Sequence, residues 1–182
     1  MSGVGALIER LLAAPQGVPV ERSGATAVFA AISGCPVDAV MHTRAPRTLT
    51  QRERQLLQSA GATTGHERRG VLFADNVPAA ATTAILLPGR LPAAVRATLG
   101  IGPDGETLPG IAGVPVGRAL TGRGARREPL EVAATPGERD DAGHELVICS
   151  TARLWLDQPV AIVTERVYRE FLDAFPLGRP AQ

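Results

Sequence analysis

Pro159-Val-Ala-Ile-Val-Thr-Glu165 is the stretch on which the reading of the fold turns. The residues ahead of the glutamate are apolar or β-branched, the composition of a strand buried between neighbours. The run ends on a carboxylate, and burying one is costly unless it is paired or hydrogen-bonded. Arginines precede other strand-like segments. Arg68 and Arg69 stand ahead of Val-Leu-Phe, Arg127 ahead of Glu-Pro-Leu-Glu-Val, and Arg153 ahead of Leu-Trp-Leu. A glutamate and several arginines facing one cavity suit a small ligand with two carboxylates and a hydroxyl. On the residues alone, the plainer outcome is a structural ion pair of Glu165 with Arg166 or Arg153.

Further strands and helices follow on either side. Residues 127–133 and 145–156 read as strands ahead of 160–167, with 135–143 as a turn or surface loop between the first two and 168–175 as a terminal helix. Upstream, His66 to Ala74 and Ala79 to Leu87 are strands joined at Asp75-Asn76, which predicts a hairpin. Thr50-Gln-Arg-Glu53 is a capping box that opens a helix through Leu57, ended by Gly61. Residues 36–44 look like a strand, and Thr26 to Ser33 is a short apolar run of either type. Val4, Leu7, Ile8, Leu11 and Leu12 give residues 3–14 helical spacing, stopped by Pro15, Gly17 and Pro19. Leu91 to Leu99 reads as a short helix with proline in its first turn. Gly100 to Gly113 reads as a flexible loop and Val116 to Leu120 as a helical turn. These segments predict a single α+β domain over residues 1–182: an antiparallel sheet of about six strands, with flanking helices packed on one side.

Composition narrows the function classes. The net charge is +1 with no basic block, so charge does not suggest nucleic-acid binding. Cys35 and Cys149 lie in apolar surroundings, without the spacing of a metal site or a disulfide framework. Residues 1–14 lack the features of a signal peptide, and no apolar run approaches the roughly 20 residues that span a bilayer. A cytoplasmic protein without a membrane partner is the expectation. His42, His66 and His144 show no partner spacing and are read as surface or loop residues. Ser150-Thr151 has no Gly-x-Ser-x-Gly elbow, and Gly122-Arg-Gly124 is not followed by the Lys-Ser/Thr of a phosphate loop.

The ordered series Arg68-Arg69-Gly-Val-Leu-Phe-Ala-Asp75, Leu91-Pro-Ala-Ala, Val114-Pro-Val-Gly-Arg-Ala-Leu120 and Pro159 to Tyr168 resembles the chorismate pyruvate-lyase family over about residues 50–172. That resemblance implies a six-stranded antiparallel sheet and a buried cavity closed by helix-loop flaps. It also implies release of pyruvate from chorismate to leave 4-hydroxybenzoate, with no metal and no organic cofactor. By position, Glu165 matches the family's active-site glutamate. Arg68 matches the arginine on the ring carboxylate, with Arg69 taking the role if the register slips by one. Val116 falls where a leucine's backbone contributes to the ligand pocket, and Arg127 falls on an arginine that starts a later strand. Arg153 and Thr83 complete the expected substrate contacts. The strand Ala79 to Leu87 departs from the family: only Thr82 and Thr83 are polar, and Ala84 stands near a position that usually carries a polar side chain.

On this resemblance, arginine forks hold the substrate carboxylates in a dry pocket. Glu165 either donates a proton to the leaving ether oxygen, with its pKa raised by burial, or stays ionised and fixes the 4-hydroxyl. The partner is then a small carboxylic acid, and the protein a monomer or homodimer. Two alternatives share the fold. One is a secondary-metabolism enzyme acting on a related cyclic acid. The other is a non-catalytic binder of an aromatic acid, since the same fold serves as an effector-sensing domain in some transcription regulators. In those it is usually attached to a winged helix, and the first fifty residues here hold no convincing helix-turn-helix.

Overall fold

The computed structural model of the chain describes residues 3–12, 19–109 and 113–177. Six strands form one antiparallel sheet: β1 (Val37–Thr48), β2 (Thr64–Ala74), β3 (Val77–Leu86), β4 (Arg126–Arg139), β5 (Glu145–Trp155) and β6 (Pro159–Tyr168). Their spatial order is β1-β2-β3-β6-β5-β4, which puts β3 and β6 at the centre. Prolines sit where a missing N–H does least harm. Pro46, Pro129 and Pro136 lie on the two edge strands, Pro159 begins β6, and Pro78 stands second in β3 beside a register irregularity.

The α+β class and the six-stranded antiparallel sheet match the expectation, and so do most element positions. Asp75 and Asn76 both adopt positive φ, 48° and 63°, the conformation that a two-residue turn needs to match the twist of β2 and β3. Thr50 and Glu53 form the reciprocal capping box that starts α4 (Gln51–Leu56). The ambiguous run at Thr26 is helical: α3 spans Ala25–Ser33 and stops at Gly34, whose φ of 71° is the left-handed cap that glycine accepts without strain. It follows α2 (Val20–Ser23) and packs Phe29 edge-on against Phe171 of α7 (Arg169–Ala174). α1 covers Gly3–Leu12; the remainder of that predicted helix, with Pro15 and Gly17, lies outside the described residues.

Three expectations need correction. β4 continues through the predicted turn at 135–139, because a register irregularity between Ala134 and Glu138 absorbs Pro136 and Gly137 without ending the pairing. The segment 100–109, predicted to be flexible, is tied down. Ile101 bridges Thr107, and the Thr107 hydroxyl donates to the Arg44 carbonyl. Finally, the helices do not all share one side. α1, α3, α5 (Ala93–Leu99), α6 (Val116–Ala119) and α7 pack on one face, whereas α4 covers Ile85 and Ile162 on the other.

The helix-bearing face is divided. One apolar cluster, including Leu7, Phe29, Leu72 and Ile148, lies under α1, α3 and α7. A second, including Leu86, Leu99, Leu120 and Leu154, lies under α5 and α6. Between them runs a buried polar row of Arg68, Glu165, Ser150 and Arg127. Such a row opposes folding unless its members are paired or have a use.

Candidate functional site

Strand alternation places this row. Arg68 on β2 stands opposite Ala84 of β3, and Thr82 of β3 stands opposite Glu165 of β6. Glu165 in turn faces Ser150 of β5. All of these point to the helix-bearing face, as alternate residues must. Arg68, Thr82, Ala84 and Glu165 line a narrow cavity roofed by Val20, Gly24 and Thr26 of the α2–α3 segment and by Pro115, Val116 and Gly117 at the start of α6. Met41, Leu72, Val163 and Leu154 supply apolar walls. The cavity offers the centre of a water molecule about 30 Å³, room for about two waters.

Arg68 is 1% exposed. One of its donors, Nη1, is occupied by the Val114 carbonyl at 2.9 Å. Nε and Nη2 are buried and have no partner among the described residues. Burial, reinforced by repulsion from Arg44, lowers its pKa to about 10, so the guanidinium is still charged at neutral pH. Nε and Nη2 form one edge of the guanidinium fork, the edge that grips a carboxylate with two parallel bonds. The chain shows that grip elsewhere. Arg153 presents the same two atoms to the Glu128 carboxylate at 2.9 and 3.0 Å.

Glu165 is the acidic side of the site. Burial pushes its carboxyl up to about 7, against the opposing pull of Arg127. Its Oε2 is buried and has no partner among the described residues. Arg127 itself is anchored: Nη1 donates to the Leu11 carbonyl near the C-terminus of α1 at 2.8 Å, and Nη2 to the Ser150 hydroxyl at 3.0 Å. It lines the cavity while tying α1 to the sheet. The ion-pair expectation for Glu165 therefore named the wrong arginines. Arg166 and Arg153 lie on the opposite face by strand parity, and Arg127 supplies the field.

The structure thus gathers Glu165, Arg68, Arg127 and Val116 around one space and separates the other expected contacts from it. Arg69 points to the outer face, where it pairs with Glu67 at 3.0 Å. Arg153 is on that face too, held by Glu128 and the Leu56 carbonyl and stacked over Trp155. Thr83 also faces outward, and Thr82 takes the inward place one residue earlier. Val116 lines the cavity, and the Val114 carbonyl two residues earlier accepts a bond from Arg68. His66, expected at the surface, is fully buried, with Nδ1 bonded to the Gly105 carbonyl at 2.9 Å, and burial lowers its pKa. Sequence reasoning missed the α2–α3 roof and Met41. Gly34 closing an alanine-rich run was the available sign of the helix. Among the described residues no group of His, Cys, Asp and Glu could hold a metal, and no helix is long and apolar enough to cross a membrane.

No protein-family model and no curated protein sequence matches the chain. Solved structures do. The C-terminal domain of the histidine utilization repressor from Pseudomonas syringae pv. tomato is similar with a TM-score of 0.53 and 15% identity, over 80% of this chain and 99% of that one. The ligand-binding domain of a protein assigned to the GntR family of transcriptional regulators in Bordetella bronchiseptica matches with a TM-score of 0.51 and 11% identity, over 80% and 91%. PhnF from Mycobacterium smegmatis matches with a TM-score of 0.51 and 15% identity, over 77% of this chain; the chain spans 61% of the length of that protein. These neighbours overturn the lyase reading. The expected conversion of chorismate, the enzyme class, the biosynthetic role and the catalytic parts given to Glu165 and Arg68 are withdrawn, because these matching structures are domains of regulators. The expectation that nucleic acid plays no part, drawn from the net charge and the lack of a basic block and of a helix-turn-helix, is at odds with neighbours that are named as transcription regulators. What the comparisons establish is the fold, which this chain shares with the C-terminal domain of a repressor and the ligand-binding domain of a regulator.

Proposed function

We propose that this chain is a non-catalytic ligand-binding domain whose ligand is a small carboxylic acid, sensed on behalf of a transcription regulator. The observation that carries the reading is the buried, unpartnered Nε–Nη2 edge of Arg68 in a cavity. A buried cation without a counter-charge is costly, and such a cost is retained where a ligand anion offsets it. Arg68 grips the carboxylate, and Glu165 meets a hydroxyl or other polar group on the same molecule. Arg127 stays with Leu11 and Ser150 and tunes Glu165 without gripping the ligand. The fold shared with regulator domains supports a sensing role.

Thermal unfolding across a panel of carboxylic acids and their matched carboxamides tests this. A ligand that binds only the folded state raises the unfolding temperature by mass action. At least one acid should do so while its amide, which cannot fill the fork with two acceptors, does not. Equal shifts with acid and amide would remove the anion site from the account. Incubation with chorismate should release no pyruvate.

A further inference from the structure

A groove of about 210 Å³ lies between α3, α6 and the start of β1. It shares Val20, Gly24, Thr26 and Gly117 with the cavity that holds Arg68, so only those four residues stand between the two spaces. The cavity alone holds about two waters, the bulk of one carboxylate group. An apolar body attached to that carboxylate has more room in the groove than in the cavity. The groove is seven times larger by the same measure, 210 against 30 Å³, and its own lining is mainly Ala27, Ala30, Pro36 and Val37. Its charged member, Arg118, is turned towards Asp38 at 3.5 Å on the exposed rim.

Gly117 stands at the junction. A Cβ built there would meet Val20 Cγ2 at 3.7 Å and Thr26 Oγ1 at 4.0 Å, ordinary contact distances. A single carbon is therefore tolerated, whereas a branched side chain would fill the gap between α6 and the α2–α3 segment.

We propose that cavity and groove are two compartments of one site, and that the ligand is an elongated carboxylic acid. Its head group sits on Arg68, and its apolar body passes Gly117 into the groove along α3. The inference rests on the carboxylate reading of the Arg68 cavity and adds the shape of the ligand and its path. Glu165 then meets a substituent near the head of the ligand, and the length of the body sets the affinity.

Calorimetric titration with straight-chain carboxylates from acetate to octanoate tests it, on wild type, Gly117→Leu, Ala27→Leu and Arg68→Met. Wild type should bind the shortest acids weakly and gain about threefold to fourfold per methylene once the chain enters the groove. Gly117→Leu, which closes the junction, should show no gain with length. Ala27→Leu, which lines only the groove, should give the same flattening without touching the junction. Affinity in wild type that does not depend on chain length would overturn the two-compartment site. So would a full length-dependent gain in both leucine variants. If wild type binds none of the acids, or Arg68→Met binds them as wild type does, the carboxylate reading itself fails, and the inference with it.

Discussion

Arg68 and Glu165 reach one cavity from strands that do not pair with each other: β3 lies between them, presenting Ala84 opposite Arg68 and Thr82 opposite Glu165. The two charged groups are therefore offset by one same-face step along β3, with only small side chains in the interval. Ala84, at the position where the chain departs from the lyase-like pattern, removes bulk beside the arginine and helps leave the space open. The cost of this arrangement is two buried donors on Arg68 and one buried acceptor on Glu165 that have no partner among the described residues.

Replacing Arg68 by methionine should stabilise the ligand-free domain. An apolar side chain of similar length removes a buried cation, and the gain exceeds the loss of the single bond to the Val114 carbonyl. The expected net effect is about 1–2 kcal/mol. At this chain length that is a rise of a few degrees in unfolding temperature. Differential scanning calorimetry of both proteins without ligand checks the direction; a fall would mean that Arg68 serves the fold.

Arg127 should behave in the opposite way. It has partners on both sides, the Leu11 carbonyl of α1 and the Ser150 hydroxyl of β5. Arg127→Ala strips both and leaves Glu165 without the opposing positive field. Urea unfolding at neutral pH should show a loss of roughly 3–5 kcal/mol. A loss below about 1 kcal/mol, the size of one net hydrogen bond, would place Arg127 outside the structural frame.

Glu165 gives the site a pH dependence of known sign. Burial raises its folded pKa from 4.5 to about 7, so the folded protein keeps this proton longer than the unfolded chain does. Its contribution to stability is complete below pH 4.5 and fades as the pH rises to about 7. Glu165→Gln, which cannot ionise, should therefore gain roughly 2–3 kcal/mol relative to wild type between pH 4.5 and pH 8. Denaturant unfolding of both proteins at the two pH values reads this directly, and a constant difference would show that Glu165 titrates normally.

Much of the frame was legible because local chemistry decided it. Asp75-Asn76 can satisfy a tight turn with two positive φ values, and Thr50 with Glu53 can cap a helix, whatever surrounds them. The run ending at Glu165 had the composition of a central strand, and it is one. What escaped depends on neighbours distant in sequence. Arg68 and Arg69 differ only in parity, and so do Thr82 and Thr83. Which of each pair points inward is set by pairing across β1, β2, β3 and β6 and by bulges such as that between Met41 and Thr43. Arg153 resembled a ligand contact until Glu128 and Trp155 proved to be its partners across and along the sheet. The Pro136-Gly137 pair reads as a turn by itself, yet the edge position of β4 lets the strand carry it as an irregularity. Activity was the least legible part, because one sheet and one cavity serve both catalysis and sensing.

The central claim is that the free edge of Arg68 binds a ligand carboxylate in a domain that does no chemistry on it. Calorimetric titration of the acid that most raises the unfolding temperature, into wild type and into Arg68→Met, tests it most directly. Two charge-assisted bonds lost in a dry cavity predict a fall in affinity of at least about 100-fold, with the acid recovered unchanged from the wild-type mixture. Equal affinity for the two proteins, or conversion of the acid during the titration, would contradict the account.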